Sequence, residues 1–104
     1  MIVGNREVYT CRKRIEGYKE ALAFYNISIR EDYIYYGQYR RQTGYEGMKY
    51  LDSLGVRAVF AYDDEIAIGI YQYARENSLV VGKDISVVGF NNMDIAAILT
   101  PPLT

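Results

Sequence analysis

The chain has 104 residues, a formal net charge of −1, one cysteine and no histidine. Half of its residues are hydrophobic and 24% are charged, which is typical of a folded globular domain and argues against disorder. The small net charge gives no general reason to expect nucleic acid or an anionic membrane as a partner. Without histidine, the usual general base and the commonest metal ligand are missing, so we expect neither an enzyme nor a metal protein.

The single cysteine and the hydropathy pattern bear on the compartment. Cys11 cannot form an internal disulfide, so a reducing, cytoplasmic environment is the simpler expectation. No apolar run reaches the roughly 18 residues that span a membrane, and no secretory signal opens the chain. We therefore expect no membrane segment and no membrane partner.

Strand patterns and helix patterns alternate along the chain. In order they are a short strand at 1–4, a helix at 11–26, a strand at 32–37, a helix at 43–54, a strand at 56–62, a helix from 64 to about 77 and a strand at 85–88. Because each connection is only a few residues long, this order predicts parallel strands with right-handed crossovers. The predicted fold is α/β, an open parallel sheet in three α/β/α layers.

Local signals define the predicted helices. In the first helix, Thr10 is a candidate cap, and Ile15, Tyr18, Leu22 and Tyr25 form one apolar stripe. The second helix is expected to end at Gly55, and Asp63 or Asp64 to cap the third.

The last predicted strand carries polar residues at its carboxyl end. It runs into Gly89, and the amides of Asn91 and Asn92 follow. Ligands of open α/β sheets bind at the carboxyl ends of the strands, so these amides are candidate ligand contacts.

Three segments together resemble the effector-binding core of the LacI/GalR bacterial transcription regulators. They are RKRIEGY at 12–18 with AL at 21–22, AVFAYDDEIAIG at 58–69, and DISVVGF at 84–90 with PPLT at 101–104. The family shares the type I periplasmic sugar-binding fold, and the resemblance covers only the carboxyl-terminal lobe of its core. Residues 1–104 are therefore expected to be the C-terminal subdomain of an effector-binding domain.

The resemblance also implies partners. In the family, this lobe faces an amino-terminal lobe across a hinged cleft, and a helix-turn-helix domain precedes both. Neither is present in these 104 residues, so operator DNA would be bound only through the missing N-terminal domain. The implied partners are a small-molecule effector, a carbohydrate by preference, and a second copy of the protein in a homodimer. The 104 residues alone are expected neither to bind operator DNA nor to hold the effector tightly.

Four residues match effector-contacting positions of the family. Arg14 lies in the family pattern Arg-x-x-Gly-aromatic, and Tyr39 stands where an aromatic ring packs on the ligand. Asp63 replaces the usual Asn, while Asp64 matches the family's Asp and is expected to be a structural cap. Asn91 replaces the usual Asp, which favours a neutral polyol over a charged effector. The structural alternatives are a solvated side chain for Arg14, a surface tyrosine for Tyr39 and a helix cap for Asp63.

The third helix and the segment after the last strand match the family's dimer surface. The implied contacts are Ile68, Tyr71, Gln72 and Leu99. Ile68 and Leu99 could equally be core residues. No catalytic residue, metal ligand or cofactor is predicted.

Two other functions fit the same pattern. A sugar-binding receptor lobe of a transport system would share the fold, and a signal peptide upstream would favour it. A small hydrolase or phosphotransferase could use Asp63 and Asp64, but the sequence has neither a phosphate-cradling glycine loop nor a nucleophile with a partner base.

Overall fold

The computed structural model of the protein describes residues 1–5 and 7–89, and within them strands and helices alternate. The elements are β1 (Ile2–Val3), α1 (Tyr9–Phe24), β2 (Tyr35–Tyr36), α2 (Arg41–Ser53), β3 (Ala58–Phe60), α3 (Asp64–Glu76) and β4 (Ser86–Val88), with a 3₁₀ turn at Glu31–Tyr33. The predicted alternation of strand and helix is confirmed. No helix in this part of the chain is both long and apolar enough to cross a membrane.

The strands form one parallel arrangement in two hydrogen-bonded pairs. β1 pairs with β2, and β3 pairs with β4, both in parallel. A bridge between Ile2 and Ala61 joins the two pairs, and the amide of Tyr62 donates to the carbonyl of Ile2 at 2.9 Å. The spatial order is therefore β2-β1-β3-β4. The strand order reverses between β1 and β3, because β2 lies on one side of β1 whereas β3 and β4 lie on the other. Ligands of such sheets bind at this reversal point.

The helices lie on two sides of the strands, as predicted. α2 packs against α3 and against β1 and β2. Val59 of β3 and Val87 of β4 are buried, whereas Phe60 lines a groove together with residues of α1. In the order β2-β1-β3-β4, right-handed crossovers place α1 on one face and α2 and α3 on the other.

Glycines allow α2 and α3 to cross at very short range. A Cβ atom on Gly44 would lie 1.9 Å from the carbonyl oxygen of Ile66, and one on Gly69 would lie 1.8 Å from that of Arg41. Backbone therefore rests directly on backbone at this crossing. The contact fixes the amino-terminal halves of the two helices against each other, at the carboxyl edge of the strands.

The first helix differs from its prediction at both ends. It starts at Tyr9 after Val8, and no side chain caps it, so the prediction of Thr10 as cap is wrong. Its buried residues are Cys11 and Ile15, the first member of the predicted stripe, and Tyr18 and Leu22 of the stripe are half-buried. Tyr25 lies beyond the helix and is 71% exposed, because the chain turns at Asn26, whose φ is +57°.

The second strand and the second helix also differ slightly from their predictions. The strand predicted at 32–37 is reduced to Tyr35–Tyr36, since its first residues form the 3₁₀ turn. The helix starts two residues earlier than expected, at Arg41. Gly55 follows its last turn with a φ of +78°, a conformation that favours glycine, so the predicted terminator is confirmed.

Candidate functional site

The carboxyl ends of three neighbouring strands bring the candidate site together. Asn5 follows β1, Tyr39 follows β2, and Asp63 follows β3. Arg14 reaches the same edge from the second turn of α1. Three of the four predicted effector contacts, Arg14, Tyr39 and Asp63, thus lie around the reversal point of the strand order. Asn91, the fourth, lies outside the described residues.

Arg14, Tyr62 and Tyr39 form a stack. Nη1 of Arg14 donates to the carbonyl oxygen of Tyr62 at 3.0 Å, and its Cζ lies 4.2 Å from the centre of the Tyr62 ring. The Tyr39 ring lies 5.1 Å from that of Tyr62, tilted by 51°. The Tyr62 hydroxyl is 2.9 Å from Oγ1 of Thr10. Thr10 is therefore used in the site rather than as a helix cap.

Tyr39 occupies its place because Gly4 has no side chain. A Cβ atom on Gly4 would lie 2.2 Å from Cε1 of Tyr39. The Tyr39 hydroxyl donates to the carbonyl oxygen of Asn5 at 3.4 Å. Partial burial, with the neighbouring phenol of Tyr62, raises the pKa of Tyr39 to about 12. The ring therefore stays neutral near pH 7 and keeps its hydroxyl proton.

Asp63 is nearly buried and serves as the cap of α3. Its Oδ1 accepts from the amide of Ile66 at 2.9 Å. Burial raises the pKa of Asp63, while the amide of Ile66 and the charge of Arg14 oppose that rise. Asp64, which the resemblance pointed to as the cap, is instead the first residue of the helix and is fully buried. The capping role does not test whether Asp63 also contacts an effector.

A groove of about 540 Å³ adjoins the stack. It runs along α1, and its lining is mostly apolar, with Tyr18, Leu22 and Phe60 among its walls. Arg14 and Thr10 are among its polar lining residues. An arginine, hydroxyl groups and aromatic rings around one space suit a ligand with hydroxyl groups and an apolar ring face.

Tyr62, Thr10 and Phe60 also lie at the site and are not among its predicted residues. The position of Tyr62 between a buried strand and a helix cap is a sequence signal for it, because such residues lie at the ligand edge of a parallel sheet. The sequence around Thr10 predicts a helix cap and gives no sign of its bond to Tyr62. In the described residues, no group of three or more His, Cys, Asp or Glu side chains could hold a metal ion.

The predicted dimer contacts on α3 are mostly enclosed by this chain itself. Ile68 and Tyr71 are each 7% exposed, and Gln72 is half-buried. Leu99 lies outside the described residues. The dimer role of these four residues remains a prediction.

The position of Asp63 predicts a pH effect on stability. Its folded-state pKa is raised above the ordinary 3.8. Protonation of this carboxyl therefore stabilises the folded state. The stabilisation is fully present below pH 3.8, and it is lost as the pH rises through the folded-state pKa. Asp63→Asn keeps an oxygen for the amide of Ile66 but does not titrate. We expect its unfolding free energy, relative to wild type, to increase from about pH 3 to about pH 7 in urea melts.

The matched control for this pH effect is Asp63→Ala, which removes the cap. It should cost about 1 kcal/mol of stability at neutral pH. A difference between Asp63→Asn and wild type that stays flat or decreases with pH would contradict the burial of the carboxyl.

Comparison with known proteins assigns the family. The model of the periplasmic binding protein-like domain matches residues 1–104. The HTH-type transcriptional repressor PurR of Vibrio campbellii is 34% identical over 103 residues, which are 97% of this chain and 31% of that protein. The chain thus spans about a third of the length of this curated relative.

Solved structures agree with the observed fold. A LacI transcriptional regulator of Bacillus cereus superposes with a TM-score of 0.92 at 31% identity, over 97% of this chain and 36% of that one. A LacI family regulator of Enterococcus faecium with bound ribose superposes with a TM-score of 0.87 at 30% identity, over 97% and 38%. The predicted resemblance and the predicted fold are confirmed, and the chain belongs to the periplasmic binding protein-like domain family, in the form found in LacI-type regulators.

Proposed function

We propose that the chain is the carboxyl-terminal lobe of the effector-sensing core of a LacI-type transcriptional regulator, and that it forms one wall of a sugar site. The observation that carries the proposal is the placement of Arg14, Tyr39 and Asp63 around the point where the strand order reverses. The matches to a repressor and to a LacI transcriptional regulator, each over 97% of this chain, support it.

The chemistry of the site favours a neutral sugar. The guanidinium of Arg14 offers several donors in a rigid fork, and the carboxylate of Asp63 can only accept. The Tyr39 ring offers an apolar face to a sugar ring and stays uncharged. The bound ribose in the Enterococcus faecium regulator makes D-ribose the first probe to use.

In the intact protein the sugar would sit between two lobes. Closing the lobes on the sugar would shift the population of a homodimer between two arrangements, and thereby change its affinity for operator DNA. Operator DNA would be bound by a separate amino-terminal domain, in the cytoplasm. Ile68, Tyr71, Gln72 and Leu99 are the proposed dimer contacts.

The effector site is tested by titrating the 104-residue chain with D-ribose, followed by ¹H–¹⁵N NMR. One wall of a site binds weakly, so fast exchange up to high-millimolar sugar is expected. We expect saturable shifts that concentrate at Arg14, Tyr39 and Asp63. Arg14→Ala removes a charged donor to the sugar, and we expect it to weaken binding about tenfold, since a hydrogen bond to a charged group contributes about 1.5–3 kcal/mol.

Arg75→Ala is the matched control, because Arg75 is exposed in the last turn of α3, at the opposite end of the strands. It should bind D-ribose as wild type does. Equal affinities for Arg14→Ala and Arg75→Ala would remove Arg14 from the site. If a hexose or a nucleobase shifted these signals and D-ribose did not, the effector class would have to be revised.

A further inference from the structure

Tyr62 is held on every side by other residues of the site. Arg14 covers its ring at 4.2 Å, and the Tyr39 ring lies 5.1 Å away. Its hydroxyl bonds to Thr10, and its own backbone carbonyl accepts from Arg14. Only 7% of the residue is exposed. Tyr62 is therefore poorly placed to touch a ligand, although it contacts three residues around the site.

The contacts of Tyr62 converge on the guanidinium of Arg14. An arginine side chain has many rotamers, and binding a ligand through a mobile arginine costs conformational entropy. Here the guanidinium carbon lies 4.2 Å from the centre of an aromatic ring, and Nη1 donates to a backbone carbonyl, so two contacts restrict the side chain. The Tyr62 ring is itself fixed by Thr10 and by Tyr39.

We propose that Tyr62 is a positioning residue, whose ring holds Arg14 in the orientation that faces the sugar. It acts through Arg14 and makes no ligand contact of its own. The inference rests on the proposed function for the ligand, while the ordering of Arg14 by Tyr62 can be measured without a ligand.

The test compares Tyr62→Phe with Tyr62→Leu in the 104-residue chain. The phenylalanine keeps the ring and loses only the bond to Thr10, whereas the leucine loses the ring face. We expect the ¹⁵N relaxation of the Arg14 Nε–H group to report an ordered side chain in wild type and in Tyr62→Phe, and a mobile one in Tyr62→Leu. Tyr62→Met, which has a long unbranched side chain without a ring, replaces Tyr62→Leu if the latter does not fold. An equally ordered Arg14 in the variant without a ring would overturn the proposal.

Binding of D-ribose provides the second measurement. We expect Tyr62→Leu to weaken binding about tenfold and Tyr62→Phe to stay within about threefold of wild type. In the Arg14→Ala background, Tyr62→Leu should cause no further loss, because its effect passes through Arg14. A loss that persists in that background would mean that Tyr62 acts on the fold or on the ligand directly, and would overturn the positioning role.

The two proposals fail in different ways. If wild type does not bind D-ribose, the proposed effector is wrong, and the relaxation of Arg14 still decides the role of Tyr62. If wild type binds D-ribose and the variants without a ring at position 62 bind it equally well, the effector site stands and the role of Tyr62 is wrong.

Discussion

Gly69→Ala should lower the free energy of unfolding by about 3 kcal/mol or more. The added Cβ would lie 1.8 Å from the carbonyl oxygen of Arg41 and 2.8 Å from the amide nitrogen of Tyr45. Both are backbone atoms of α2, so no side-chain rotation relieves the clash, and the two helices must separate. Overpacking of this kind costs about 1–3 kcal/mol, and more where only backbone can move. Urea denaturation followed by circular dichroism measures the loss.

Gly17→Ala is the matched control, because Gly17 also lies inside a helix. It is exposed, and a Cβ there would meet no atom within 4 Å. Alanine is about 1 kcal/mol better than glycine in a helix interior, so this variant should be more stable than wild type. If both variants were stabilised alike, the close crossing of α2 and α3 would be wrong.

Gly44 and Gly69, the two glycines at the crossing of α2 and α3, show which parts of the fold the sequence predicts. The alternation of strands and helices is predictable, because the periodicity of the hydrophobic residues and the short connections indicate it. Gly44 and Gly69 carried no such signal, since their role depends on two helices meeting at those positions. A glycine inside a helical pattern lowers the helix propensity of that segment. The presence of Gly44 and Gly69 is explained only by the packing of the two helices.

Thr10 illustrates why local rules fail near a site. Its position before an amphipathic stripe indicated a helix cap, and threonine is a good cap. In the structure its hydroxyl bonds instead to Tyr62, 52 residues away. A capping rule considers only neighbouring residues and therefore cannot include a partner that is distant in sequence.

The site residues were predictable to different degrees. Arg14 and Tyr39 came from the resemblance, and both meet at the carboxyl edge because parallel strands bring their ends together. The capping role of Asp63 followed from its place before a helix, whereas its burial did not. The contact between Tyr39 and the bare Cα of Gly4 depends on two loops and had no sequence signal.

Leu51→Ala should destabilise the protein by about 3 kcal/mol. Leu51 lies on the inner side of α2, is fully buried, and belongs to the core with Ile2 and Met48. Replacing a buried leucine with alanine loses its transfer free energy and leaves a cavity, which together cost about 2.7–5 kcal/mol. A domain of this size is stable by only about 5–15 kcal/mol, so a large share would be lost. The midpoint of urea denaturation gives the change.

Leu54→Ala separates the loss of core packing from the general effect of removing a leucine. Leu54 lies three residues further on, at the end of the same helix, and is 39% exposed. We expect its loss to stay below about 1 kcal/mol, because its side chain keeps much of its contact with water in the folded state. Equal losses in the two variants would mean that α2 does not present Leu51 to the core.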